Sequence, residues 1–182
     1  MTKVPSKSHS RLLRLTVSAL CLALCLVLPF LTGQIPQVGG MLSPMHIPVY
    51  LCGFLCGPWW AGAIGAIAPL LRNLLFHMPP VLTAVAMTFE LAAYGISAGL
   101  FWCLFRRLTG GKFWSIYPAL VCSMLCGRVV WGLARWILAA AGATEFSFSA
   151  FLAGAFVSAW PGILLHLVLV PPLVRAVYKQ ME

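Results

Sequence analysis

Residues 41–80 run MLSPMHIPVYLCGFLCGPWWAGAIGAIAPLLRNLLFHMPP, and the way this stretch divides sets the fold class. One apolar segment starts at His46 and stops at Gly57-Pro58. A second, rich in Gly and Ala, runs to Arg72-Asn73 and closes on His77-Met78-Pro79-Pro80. The pattern reads as two membrane crossings folded back on each other through a tight turn. Pro58 suits the first turn of a helix, where its missing N–H would lack a partner anyway. Trp59 and Trp60 suit a membrane interface. Ala61, Gly62, Gly65, Ala66 and Ala68 make the second helix thin, so neighbours can approach it closely. Pro69 predicts a kink in it.

The rest of the chain has the same character. Of its 182 residues, 62% are hydrophobic and 8% charged. Continuous apolar runs reach the roughly 20 residues that span a bilayer core, whereas a membrane β-barrel would alternate over segments of about 10. The expectation is an all-α polytopic membrane bundle of six transmembrane helices in one domain. The spans fall at about 15–31, 46–57, 58–76, 80–105, 113–141 and 150–174. The first is read as a retained helix, because no small-residue cleavage site follows it. Within it Ala19 and Ala23 form a small-x-x-x-small pair. Such pairs serve close helix approach, either inside the bundle or against a partner. In the sixth span Pro161-Gly162 reads as a break, and Pro171-Pro172 as the end.

Six spans place both termini on one side. The basic N-terminus, the Arg106–Lys112 turn and Arg175 with Lys179 then share a face, which the positive-inside rule makes cytoplasmic. The formal charge of +9 is spread in short groups at span ends, which is a topology signal and not a nucleic-acid surface. Six of the seven cysteines form pairs spaced by four, on shared helix faces. They read as small apolar residues of the spans. No metal and no cofactor is expected.

Charges in mid-membrane are costly and mark sites or pathways. At about 1.5 Å per residue, Glu90 lies roughly 15 Å from the outer end of its span, Arg128 roughly 20 Å and Trp160 roughly 16 Å. Tyr94 follows Glu90 by one turn, and Trp131 and Arg135 follow Arg128. These residues predict one layer, an aqueous pocket open to the outside. His46 reads as the cap of the loop end of its span, with a ligand role as the alternative. Arg72 and Asn73, near the outer end of their span, read as snorkelling residues, with ligand contact as the alternative, and His166 reads as a hydrogen-bonded core histidine. Glu90 and Arg128 also admit a purely architectural ion pair.

No H-E-x-x-H, G-x-S-x-G or phosphate-binding loop occurs, so neither an enzyme nor an ATPase is indicated. Glu90 is the only carboxylate within a span. Two other classes stay open at this point: a solitary proton-coupled carrier, and a small membrane enzyme acting on lipid or isoprenoid.

The segments M-H-I-P-V…C-G-F…C-G-P, L-L-R-N-L-L-F-H-M-P-P and A-M-T-F-E-L-A-A-Y-G resemble the substrate-binding S components of energy-coupling factor (ECF) transporters. The resemblance extends from the first span to the last. It implies capture of a vitamin or related micronutrient from outside the cell membrane. It also implies partnership with a transmembrane scaffold protein and two ATPase subunits, and toppling of the S component in the bilayer. Ala19 and Ala23 match the small-residue motif by which such proteins dock on the scaffold. The family's pocket, built from the first loop and the last three spans, falls where Glu90, Arg128, Trp131, Arg135 and Trp160 are placed by depth. Two arginines and two tryptophans suit a ligand with an acidic group and an apolar portion. Pantothenate is one candidate; a pyrimidine thiamine precursor and a pyridoxine-like compound are others.

Overall fold

The computed structural model describes residues 7–32, 35–142, 147–154 and 158–181. The loop carrying Glu145, and Gln34 in the first loop, lie outside the described residues. The chain is all-helical, with no strand among the described residues. Its α-helices are α1 (Lys7–Val27), α2 (Pro36–Leu42), α3 (His46–Leu55), α4 (Pro58–Phe76), α5 (Val81–Leu108), α6 (Ile116–Ala140), α7 (Phe148–Leu152) and α8 (Trp160–Met181). Short 3-10 turns follow α1 at Leu28–Thr32 and precede α6 at Phe113–Ser115.

Among the described residues, five segments are long and apolar enough to cross a membrane: Arg11–Thr32, Pro58–Phe76, Val81–Leu108, Phe113–Ala140 and Trp160–Tyr178. The sixth apolar helix, α3, has 10 residues, a rise of about 15 Å, or half a hydrocarbon core. It is held by the bundle instead of by lipid: His46 to Tyr50 are all buried, as are Cys52, Gly53 and Phe54. The outer surface of the long helices is apolar, with Leu20, Leu74, Phe89, Val129, Leu133 and Val168 all exposed. That is the surface a bilayer solvates. The protein is an integral membrane protein.

Residues 46–76 form a helical hairpin, with α3 shorter than the crossing expected of it. Gly57 makes the turn at φ 100°, a backbone conformation open to glycine and strained for other residues. α4 then lies along α5 so closely that a Cβ at Gly65 would run into the backbone carbonyl of Leu91. α5 is the centre of the bundle, with its most extensive interfaces against α4 and α6. Its core packs Tyr50, Phe54, Leu91, Tyr94, Trp102 and Leu120.

The C-terminal part differs from the reading of the sequence. The sixth span starts at Trp160, not at residue 150. Pro161 therefore lies in the first turn, where its missing N–H breaks no bond. Pro171 and Pro172 sit inside α8, which runs on to Met181. Pro171 is fully buried between Val170 and Val174, both also buried, so packing holds the helix through the pair.

The basic groups gather at one end of the bundle. Arg106 donates through Nη1 to the Tyr178 hydroxyl at 2.7 Å, and Arg175 lies over Phe113 at 5.8 Å. At the same end the Cys56 thiol meets the Arg14 carbonyl at 3.6 Å. The ends of α5, α8 and α3 and the starts of α1 and α6 thus converge there.

Candidate functional site

At the end of the bundle opposite the basic groups lies a cavity of about 400 Å³, within the roughly 300–1,000 Å³ typical of small-ligand sites. It is framed by the end of α1, the residues around α2, the start of α3, the end of α4, the start of α5 and the second half of α6. The floor carries its charge. Thr83, Met87 and Glu90 line it from one face of α5, at spacings of four and three that bring side chains over one another. Arg128 and Trp131 line it from α6, one turn apart.

Glu90 is the meeting point. Its Oε1 lies 3.5 Å from Nε2 of His46 and 3.7 Å from Nη1 of Arg128. The side chains of His46 and Glu90 are 5% and 4% exposed, and that of Arg128 15%. A buried charge needs a partner, and three helices each supply one member of this cluster. Both ring nitrogens of His46 are nevertheless buried without a hydrogen bond. Nε2 is within electrostatic reach of Glu90 but outside bonding geometry. Such orphaned atoms are rare in protein interiors, and these belong to a side chain lining the cavity.

Beneath this floor is a second, smaller space of about 100 Å³, walled by Tyr50, Tyr94 and His166 and sharing His46 and Arg128 with the first. The rings are clustered: His46 to Tyr94 5.0 Å, Tyr50 to Tyr94 5.4 Å and Tyr50 to His166 5.5 Å. His166 is buried and its Nε2 reaches the Ser43 carbonyl at 3.3 Å. That bond ties α8 to the loop before α3.

The residues singled out from the sequence therefore separate. His46, Glu90, Arg128 and Trp131 come together on the larger cavity, and Tyr94 lies below it. His46 is no loop cap; it is buried against Glu90. Arg135 is partly exposed and does not line either cavity. The reason is α7: Phe151 stacks on Trp131 with ring centroids 5.5 Å apart and packs over Gly132, so the wall ends one turn short of Arg135. Trp160 is 59% exposed. The buried stripe of α8 is Gly162, His166, Val170 and Val174, and Trp160 points away from it.

The methionines were not foreseen, and for Arg72 the structure takes the alternative to snorkelling. Arg72 is 3% exposed, not snorkelling, and lines the larger cavity with Met41, Met45, Met78 and Met87. Asn73 spends its amide on the Pro79 carbonyl at 2.6 Å. The spacing Thr83–Met87–Glu90 was a usable signal, since the face of α5 that carries Glu90 also carries the other two. Nothing in the local sequence of α4 distinguishes a buried arginine from a snorkelling one.

On α1, Ser18, Cys21 and Cys25 face inward and are buried, while Ala19 and Ala23 are exposed. Internal packing therefore does not account for the small pair. Cys21, Cys52 and Cys56 fill the contact between α1 and the hairpin, with the Ser18 hydroxyl 3.4 Å from the Cys52 sulfur.

A family model described as ECF transporter, substrate-specific component, matches residues 13–174. No curated protein and no solved structure matches the chain.

Proposed function

The chain belongs to the family of substrate-specific components of ECF transporters, and from that premise we propose that it captures a vitamin or related micronutrient from outside the cell. It delivers this cargo through a scaffold protein and two ATPase subunits. The observation that carries the reading is the buried His46–Glu90–Arg128 cluster on the floor of a cavity of ligand size. A ligand edge offering both a donor and an acceptor would meet the Glu90 carboxylate, the Arg128 guanidinium and the unbonded His46 nitrogens. Methionines and Trp131 supply an apolar, adaptable wall.

Two further observations support the orientation and the partnership. The cavity and the basic end lie at opposite ends of the bundle, so the positive-inside rule turns the cavity outward and both termini inward. The exposed Ala19 and Ala23 offer a close-approach surface on α1 for a scaffold helix.

The test is binding by the purified chain alone. Thermal-shift and calorimetric screening against a vitamin library should return a ligand that binds without any partner or nucleotide. Folded protein with no ligand in a broad library would count against capture. Uptake into liposomes by the chain alone, driven by a proton gradient, would point to a solitary carrier instead.

A further inference from the structure

The larger cavity holds a second cation whose charge the cluster does not answer. Arg72 is buried on its wall. Its Nη1 donates to the Leu26 carbonyl. Its guanidinium lies over Phe30 at 4.9 Å and Phe76 at 5.5 Å, and the two rings pack edge to face at 5.0 Å. The cation is therefore fixed in place by a carbonyl and two ring faces. Among the described residues, no carboxylate reaches it: Glu90 is within ion-pair distance of His46 and Arg128 only.

A guanidinium carries five N–H donors in a planar fork, and a single backbone carbonyl uses one. Burying a cation without a counter-charge costs free energy, and the cost is greater inside a bilayer. Ring faces offset part of it. Arg128 stands in contrast, since Glu90 already compensates it. The cavity is thus asymmetric, with a self-compensated polar floor and an uncompensated cation on its wall. Met45 and Met87, also on the lining, give it apolar surface as well.

Resting on the capture reading, we propose that Arg72 anchors an anionic group of the captured molecule, a carboxylate or a phosphate. The ligand is then an amphipathic acid. Its charged group sits in the fork of Arg72, whose N–H donors can meet two oxygens of either anion. Its middle is apolar, and its uncharged polar end reaches His46 and Glu90.

The test uses matched probes that differ only in this charge: nicotinate and nicotinamide, pantothenate and pantothenol, biotin and biotinamide, pyridoxal phosphate and pyridoxal. Binding is measured by calorimetry on the full chain in dodecyl maltoside, as wild type, Arg72→Met and Arg72→Lys. Wild type should prefer the charged member of one pair by about 30-fold, the scale of a charge-assisted contact. Arg72→Met should erase the preference and Arg72→Lys should keep most of it. Whether the preferred acid is a carboxylate or a phosphate names the group. Equal binding of both members by wild type overturns the assignment without needing any variant to fold. So does a preference that survives in folded Arg72→Met. Added phosphatidylglycerol that displaces the acid would assign the cation to a lipid headgroup and also overturn it. Tight binding of neutral members alone sinks the Arg72 assignment and leaves capture standing. Failure of every probe to bind folded wild type overturns this assignment, and capture falls with it when the broad vitamin library also returns no ligand.

Discussion

Nη1 of Arg128 lies 3.7 Å from Oε1 of Glu90, across the contact between α6 and α5. Each charge is tolerable only because the other is present. Glu90→Gln or Arg128→Met alone should destabilise the protein by about 3–5 kcal/mol, the cost of leaving one buried charge unpaired. The double variant should recover much of the loss. Unfolding in mild detergent measures all three, and strictly additive losses would show that the two charges are not coupled.

His46→Phe separates stability from binding. The ring nitrogens of His46 make no hydrogen bond within the protein, so removing them leaves no protein group newly unpaired. Stability should be unchanged or slightly higher, while ligand affinity should fall roughly 3- to 10-fold for one lost hydrogen bond. A variant that loses stability and keeps its affinity would make His46 a structural residue.

The two tryptophans read together from the sequence should behave differently. Trp131 lines the cavity, and Trp160 is exposed on the outer side of α8. Trp131→Ala should weaken binding by about 30-fold if the ring is a main contact. Trp160→Ala should leave the dissociation constant alone. Calorimetry on both variants decides, and an equal loss in each would mean that α8 turns differently when ligand is bound.

Ala19→Trp with Ala23→Trp should leave folding and ligand binding intact, because both positions are exposed, and should abolish scaffold association and uptake. Cys25→Trp, four residues along the buried stripe from Cys21 and 0% exposed, should prevent folding by overfilling the core. Co-purification with the scaffold and whole-cell uptake read the first pair; size-exclusion profiles read the second. Retained scaffold binding in the alanine variant would place docking elsewhere.

Gly65→Ala adds a single methyl where the Leu91 carbonyl already stands. α4 must shift off α5, with a loss of about 1–3 kcal/mol. A melting temperature equal to wild type would show that the two helices have slack at this crossing.

How much of this was readable beforehand differs from residue to residue. Glu90 and Arg128 were legible because charge within an apolar run is rare and costly, and counting residues from the span ends gave their depth. The hairpin was legible from Gly57-Pro58 and from the small residues of α4. Trp160 and Arg135 were misplaced because depth along a helix says nothing about rotation around it. Trp160 stands at the start of α8 and faces away from its buried stripe, and α7 closes the wall before Arg135. Arg72 was misjudged for a related reason: a residue a turn from a helix end has two destinations, and the sequence of its own helix contains neither Phe30 nor the Leu26 carbonyl.

The amino-acid sequence alone determined that this is an all-helical membrane protein, where its apolar segments lie, which family it belongs to and which charges fall within apolar runs. Those follow from length, hydropathy and local pattern, and the bilayer enforces them because unpaired backbone groups are intolerable there. Only the tertiary structure decided that His46 joins Glu90 and Arg128, that Arg72 turns into the cavity and that Ala19 and Ala23 turn out. In a soluble protein a polar face betrays the outward side of a helix. Here lipid and core are equally apolar, so a helix's rotation is written in contacts with distant segments and not in its own sequence.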